Sequence, residues 1–563
     1  MKVSQLPYNR CTIEYIKENM GSAIERIKNA KTVDEVLSAR KDYLEVMSEF
    51  STQYSLSNCR YTLNTKDEFY LAEKDYYDEI APQAEEYSVM YSQAMLESPF
   101  RKELEEKLSP VLFKSFEVAA KSMSPAIIPQ MQEENRLVTE YSTFMSELTF
   151  EYEGETIPLT ILRKYMTDDN RDTRKKAYDV LGNRLAEVSE TLDTIFDKLV
   201  HVRDEMARAM GYENFVELGY YRMGRLDYDK EMVSKYRENI LKDIVPVVSK
   251  LKKAIAKKHG IDNFMLYDDC VTVLGGNPKP CHDADGIFEA AKQMYHEMSE
   301  DTAKFFDMML ENEAFDVFSR EGKWGGGYCT SFDKYKQPFI LANFNGTAAD
   351  VDVMTHECGH AFADYMTADN ELKELGIGGM ETAECHSMSM EFFAWKYIDK
   401  FFGEKSKEYK FKHCTDALSF LPYGIIVDYF QHIVYENPDL TPAQRKAEWK
   451  KLEETYRPWL CIDGIPYLEL GTRWQYQMHI YESPFYYIDY TLAQTIAFQF
   501  LLLSLEDYDK AFATYFKFLC HGGELMFTQL VKEAGLKSPF EEGALYDIGQ
   551  KISSLIDKLE QDI

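Results

Sequence analysis

From about residue 20 to residue 260, apolar positions recur every three or four residues in segments rich in Glu, Lys, Leu, Ala and Met, which predicts a succession of amphipathic helices. Proline and glycine fall mostly at the joints. Ser98-Pro99-Phe100 is one such joint; it opens RKELEEKLSPVLFKSFEVAAKSM, a helical pattern interrupted at Pro110. Strand-like alternation is scarce, and the first half of LTFEYEGETIPLTILRKYM (148–166) predicts a small hairpin ahead of another helix. The texture changes at 320–347, where REGKWGGGYCTSFDKYKQPFILANFNGT carries five glycines and short apolar runs between turn formers. Gly325–Thr330 and Pro338–Phe344 read as two paired strands feeding a helix over 350–366 (DVDVMTHECGHAFADYM). An open strand edge at Gly326, Gly327 and Tyr328 offers backbone hydrogen bonds to an extended peptide, while a glycine loop needed only for tight packing explains the same residues equally well. Neither G-x-x-x-x-G-K-[ST] nor G-x-G-x-x-G follows a strand here, which disfavours a phosphate loop. No repeat of fixed period is present. The expected fold is therefore mainly α, with a small β-sheet beside the 350–366 helix.

A chain of 563 residues with 45% apolar and 14% aromatic content has ample material for a large core. Its formal net charge of −31 opposes binding to nucleic acid or to anionic lipid. The amino terminus has no apolar run of signal-peptide length, and the most apolar stretch, TIAFQFLLLSL at 495–505, is too short to span a bilayer. Ten cysteines with no C-x-x-C spacing suit reduced thiols, so the expected compartment is the cytoplasm.

The helix over 350–366 carries His356-Glu357-Cys358-Gly359-His360, an H-E-x-x-H pattern. Two histidines four apart on one face can reach a single metal ion, and the carboxylate of Glu357, one position round, lies beside that ion as a general base. The geometry suits zinc. Catalytic zinc keeps three protein ligands, so a third is required. Ala363 and Met366 stand where the metzincin pattern needs Gly and His, which excludes that class. A second helix over 380–399 (METAECHSMSMEFFAWKYID) repeats Glu381, Glu384, Ser387 and Glu391 at spacings of three or four. Periodicity does not choose among the carboxylates, and a solvated acidic stripe has the same pattern. The apolar neighbours Met380, Met388, Phe392, Phe393 and Trp395 nevertheless bury at least one of them, and zinc would partner it. Glu391 is the candidate to hydrogen-bond a ligand histidine from behind. His386 is an alternative ligand, and Cys358 and Cys385 read as small buried hydrophobes. Further on, HIYESPFYYIDYTLA (479–493) gathers phenols and an imidazole, neutral donors of the kind that stabilise a developing oxyanion, although a core helix with phenols at its rim would look the same.

Three blocks, THECGHAFADYM at 355–366, METAECHSMSMEFF at 380–393 and HIYESPFYYIDYTLA at 479–493, together resemble the thimet oligopeptidase and oligoendopeptidase F family of zinc metallopeptidases. Chain length and the wording of the last two blocks resemble the oligoendopeptidase F branch, which includes the Pz-peptidase-like enzymes. The resemblance implies that His356, His360 and Glu384 bind one Zn2+ per chain and that Glu357 is the general base. It also implies that His479 and Tyr490 stabilise the tetrahedral intermediate. Of the adjacent pair, Tyr487 is placed with the catalytic groups and Tyr486 with substrate binding; a slip of one residue against the thimet branch exchanges them. The family fold implies an elongated helical body with a deep channel that admits short unfolded peptides, cut at internal bonds, in a monomer or small homo-oligomer. Residues 1–195 would supply part of the channel wall and 196–563 the catalytic region. Two rival readings are a zinc carboxypeptidase or dipeptidase, which would hold a substrate carboxylate through Arg473 or Arg457, and a catalytically silent peptide-binding protein.

Overall fold

A computed structural model describes all residues, 1–563, and is mainly helical. The longest helices are Val33–Leu63, Glu68–Leu96 and Ser406–Glu436. Many begin at a side chain that accepts a backbone N–H: Thr12, Thr32, Asp67, Ser109, Asn170 and Thr441 each cap the helix that follows. The expected hairpin is present, with Thr149–Tyr152 antiparallel to Glu155–Pro158, and leads directly into the helix Leu159–Met166.

The second sheet has three strands. Gln337–Phe344 is central, parallel to Phe315–Phe318 and antiparallel to Tyr328–Phe332. Burial of six consecutive residues, Gln337–Ala342, is the signature of a strand covered on both faces. Its end turns into the helix Ala349–Thr367. That turn is fixed by Asp350, whose carboxylate accepts from the backbone N–H groups of Asn345 (2.9 Å) and Gly346 (2.7 Å). Ala349–Thr367 packs on Met380–Phe393, which packs in turn on Tyr487–Glu506. The first of these contacts is unusually close. A Cβ built on Gly359 would lie 2.6 Å from the Cα of Ser387 and 2.9 Å from the carbonyl oxygen of His386, so only glycine allows the two backbones to meet. Tyr487–Glu506 is long and apolar enough by composition to cross a membrane, yet two thirds of it is buried inside the protein, as expected of a core helix.

Two hydrophobic cores are distinguishable. The smaller draws on helices within the first 116 residues plus Leu372 and Leu375. The larger includes Leu192, Ile195, Phe196 and Leu199 together with residues from both ends of the sequence.

His432, buried in Ser406–Glu436 with Nε2 3.0 Å from the Tyr220 hydroxyl, is pushed down to about 3 by burial. Between pH 6.5 and that value the unfolded chain takes up a proton that the folded imidazole refuses, so this group's contribution to stability falls as pH falls, by roughly 1.4 kcal/mol per pH unit. His432→Gln is expected to flatten the dependence of Tm on pH between 6 and 4; an unchanged slope would remove His432 from the acid response.

Candidate metal centre

The H-E-x-x-H helix and the Met380–Phe393 helix bring three donors together. His356, His360 and Glu384 each place a ligand atom within 4.8 Å of the others. Oε2 of Glu384 lies 3.3 Å from Nε2 of His356 and 3.5 Å from Nε2 of His360. Nδ1 of His356 is 2.7 Å from Oε1 of Glu391, whose carboxylate is held below its ordinary value because its bonds to His356 and His413 outweigh burial, which acts the other way. That anion fixes the proton on Nδ1 and turns the lone pair of Nε2 toward Glu384. A lone pair and a buried carboxylate then face one another at 3.3 Å, an arrangement that calls for a cation between them. The donor set of two imidazole nitrogens and one carboxylate oxygen fits a divalent metal that keeps an open position.

Electrostatics agree. Burial pushes the Glu384 carboxyl up, but the neighbouring His360 and His356 more than offset this and hold it well below the usual range. Glu357 is also buried, and burial raises its carboxyl above the ordinary value despite both imidazoles. Glu357 is thus more basic than a surface glutamate, and it sits outside the three-donor cluster.

The support behind the ligands reaches further than Glu391. Nε2 of His413 is 2.8 Å from Oε2 of Glu391, while Nδ1 of His413 accepts from the indole N–H of Trp395 (2.9 Å). Trp395 therefore assigns the His413 proton to Nε2, where it points at Glu391. The candidates not drawn into the cluster have other surroundings. Glu381 faces the Tyr228 hydroxyl (3.3 Å), with Asp489 as a charged neighbour. His386 packs against the Phe518 ring with neither nitrogen hydrogen-bonded, and burial pushes it down to about 3. Cys358 and Cys385 are buried free thiols.

The third block is not one helix. Met478–Glu482 ends, Phe485 takes a left-handed φ of 68°, and Tyr487–Glu506 begins anew. The bend is pinned on both sides: the Phe485 N–H donates to Gln431 Oε1 (2.9 Å) and its carbonyl accepts from Arg225 (2.6 Å). This break sets the adjacent tyrosines in different surroundings. Tyr486, not Tyr487, donates its hydroxyl to Glu384 Oε1. Tyr487 packs edge-on against His479 (5.0 Å between ring centres) and Tyr423 (6.0 Å) and does not reach the donors. Tyr490 lies beside Tyr486, its hydroxyl 3.3 Å from His479 Nε2. Burial pushes His479 down to about 4, so it is neutral. Gln477 Nε2 donates to His479 Nδ1 (3.0 Å), and the Tyr423 hydroxyl donates to Gln477 Oε1 (2.8 Å), which orients the amide. The one proton of His479 is therefore on Nε2, facing Tyr490.

At the glycine-rich segment, strand Tyr328–Phe332 pairs only with Gln337–Phe344, leaving its outer edge without a strand partner. The strand packs on the helix Ala349–Thr367, and Glu357 is an electrostatic neighbour of its Cys329. Gly326 and Gly327 lead into it. A Cβ on Gly326 would meet the Trp324 ring, and one on Gly327 would lie 3.3 Å from the Leu341 carbonyl oxygen, so both positions leave little room for a side chain. The Tyr328 hydroxyl is engaged with Thr62 Oγ1 (2.6 Å), which leaves the strand backbone as that residue's open group.

Helices that clamp an H-E-x-x-H pair onto a buried glutamate define a metallopeptidase architecture. The chain belongs to Peptidase family M3: residues 164–272 and 280–549 match that family, and residues 3–123 match the Peptidase M3 N-terminal domain. Family membership implies a metal at this centre. Among solved structures, Pz peptidase A with an inhibitor superposes with a TM-score of 0.97 at 42% identity, covering 99% of each chain. Oligopeptidase PepF of Bacillus subtilis (strain 168) is 22% identical over 392 residues, 66% of this chain and 55% of PepF. Oligoendopeptidase F (chromosomal) of Lactococcus lactis subsp. cremoris is 24% identical over 243 residues, 42% of this chain and 39% of that protein. The match spans about half the length of these curated relatives or less.

Proposed function

We propose that this chain is a zinc-dependent oligoendopeptidase that hydrolyses internal bonds of short unfolded peptides, with one Zn2+ per chain held by His356, His360 and Glu384. The observation that carries this reading is the pair of histidine nitrogens facing one Glu384 oxygen at 3.3 and 3.5 Å. When bound, zinc supplies Lewis acidity, acidifying a water and polarising a carbonyl. Glu357 takes the proton of the attacking water on its carboxylate and returns it to the leaving amine. Tyr490, whose hydroxyl oxygen faces the Nε2–H of His479, donates its own proton to the oxygen that gains charge, and Tyr486 holds Glu384 in place while its hydroxyl borders the same space. The edge of Tyr328–Phe332 aligns the substrate backbone.

The division of labour supports the expected two regions. Residues 196–563 carry every proposed reactive group, whereas residues before 195, among them Thr62, Ser142 and Arg163, contribute a wall. No second chain is needed to complete the centre, and ten free cysteines support work in a reducing compartment such as the cytoplasm. For the carboxypeptidase reading, Arg457 is already committed to Asp269, which weakens it as a terminal-carboxylate anchor.

Incubation with a peptide blocked at both ends tests the reading. Chelator-sensitive internal cleavage is expected; release of terminal residues only, from unblocked peptides, would replace the endopeptidase with an exopeptidase. Tyr486→Phe is expected to lower kcat by about a hundredfold, the lower end of the cost of losing one oxyanion donor, and Tyr487→Phe by less than about threefold. The reverse order in a fluorogenic peptide assay would return the role to Tyr487.

A further inference from the structure

Four buried polar groups that the proposed chemistry does not use lie together behind the centre. Arg225 and Tyr228 stand in the connector between the helices Phe215–Arg222 and Lys230–Asn239. Glu381 is in the first turn of Met380–Phe393, and Asp489 is in the first turn of Tyr487–Glu506. All four are buried. The Tyr228 hydroxyl donates to Asp489 Oδ1 at 2.7 Å and lies 3.3 Å from Glu381 Oε2, so a single oxygen joins the two helices. Arg225 Nη2 is 3.5 Å from the same Asp489 oxygen and donates to the Phe485 carbonyl (2.6 Å), while its guanidinium lies over the Tyr220 ring at 4.0 Å.

A phenol has one proton to give. The shorter contact commits it to Asp489, so the contact with Glu381 is a hydrogen bond only if Glu381 carries a proton and donates it to the Tyr228 oxygen. Burial pushes the Glu381 carboxyl up, as do Asp489 and Asp227, and neither its own backbone N–H nor Arg225 offsets them. Asp489 is also pushed up, chiefly by burial, with Asp428 and Glu384 acting the same way against Arg225 and Tyr228. Two buried acids beside one arginine are costly to ionise together, and the geometry places the retained proton on Glu381. The relay then runs from Glu381 to Tyr228 to Asp489, each donating to the next.

This relay ends beside groups that matter to the reaction. Glu381 is one turn ahead of Glu384; Asp489 adjoins Tyr490 and follows by three residues Tyr486, which bonds Glu384. The Met380–Phe393 helix is held against Ala349–Thr367 by the backbone contact at Gly359. The start of Tyr487–Glu506 instead follows the left-handed Phe485, a conformation that persists only when its surroundings hold it, and Arg225 supplies one of its bonds. We propose that Tyr228, linked to Glu381 and Asp489, is a positioning residue that fixes the start of the Tyr487–Glu506 helix against the Met380–Phe393 helix and so keeps the hydroxyls of Tyr486 and Tyr490 in register with Glu384. The inference rests on the peptidase reading and adds to it a device that acts on the oxyanion donors without touching metal or substrate. A displacement of about 1 Å in such groups costs about a hundredfold in rate, whereas the metal donors, spaced by the Gly359 contact, stay in place.

Tyr228→Phe keeps the ring and removes the shared oxygen. On a fluorogenic peptide it is expected to lower kcat by about ten- to a hundredfold with KM changed less than about threefold. Zinc content and affinity, read by competition with a chromophoric chelator, should be unchanged. Glu381→Gln keeps a donor for the Tyr228 oxygen and is expected to hold kcat within about threefold, while Glu381→Met, which has none, should lose as much as Tyr228→Phe. A phosphinic peptide, whose tetrahedral phosphorus group mimics the addition species, should bind Tyr228→Phe at least about tenfold more weakly. Binding of the substrate peptide to zinc-loaded Glu357→Gln protein should not change when Tyr228→Phe is added. A kcat for Tyr228→Phe within about twofold of the unmodified enzyme, equal losses for Glu381→Gln and Glu381→Met, or a fall in zinc affinity that accounts for the lost turnover would overturn the proposal. Urea unfolding reads the link without turnover: Tyr228→Phe and Glu381→Met together should cost less stability than the sum of the two, and strict additivity would overturn it. An unmodified protein that cuts no peptide but keeps this coupling would instead overturn the peptidase reading and leave the link standing.

Discussion

Glu357→Gln is expected to keep about one zinc per chain and to lose kcat by about a thousandfold or more, with KM little changed. The substitution preserves shape, and Glu357 lies outside the His356–His360–Glu384 donor cluster, so metal binding should survive. What disappears is a base. A buried carboxylate raised above its ordinary value is closer to neutral pH and a better proton acceptor than a surface glutamate, whereas an amide accepts no proton. General acid–base catalysis contributes about 10²–10⁴ in rate, which sets the scale of the loss. Metal analysis alongside peptide turnover decides it: near-normal turnover at full zinc would assign the proton transfer to another group.

Much of this centre is legible from the chain alone because its chemistry is local. Two histidines four apart need only a helix to converge, and the periodicity of 350–366 predicts that helix. The Met380–Phe393 helix and the hairpin at 149–158 follow from pattern in the same way. Choosing Glu384 over Glu381 does not, since both recur on the same spacing; only the family resemblance separates them in the sequence, and in the structure Glu381 faces Tyr228 and Asp489 instead. The order of the tyrosines was hidden for a different reason. A helix drawn straight through 479–493 misses the left-handed turn at Phe485, which a bulky residue seldom adopts, and that turn decides which phenol meets Glu384. His413, Gln477 and Tyr423 carry no local signal. They join the site through contacts made only when Ser406–Glu436 folds beside it.

Glu384→Ala is expected to weaken zinc binding by more than a hundredfold and to abolish turnover at ordinary zinc concentrations. Two histidines alone leave the ion without its anionic ligand, and replacing groups merely behind the ligands already costs about 10–100-fold in affinity. The change also strands the Tyr486 hydroxyl, whereas the Ser387 hydroxyl keeps the backbone carbonyl of residue 384 as an acceptor at 3.0 Å. Leaving such a group without an acceptor costs about 1–3 kcal/mol when it stays dry, so a lower Tm should accompany the loss. Competition with a chromophoric chelator measures the affinity. Retention of one tightly held zinc would transfer the ligand role to another side chain, for which Glu381 and His386 would have to leave their present surroundings.

Gly359 contributes no donor, charge or proton, yet it calibrates the centre. Because the two ligand-bearing helices touch backbone to backbone at that point, the gap between the imidazoles and Glu384 is set by a hard contact between main chains and not by the play of flexible side chains. The variable pair inside H-E-x-x-H is thus less free than the pattern suggests: in this chain its second position works as a spacer of zero thickness, and the bite of the metal site is the width of what is missing there.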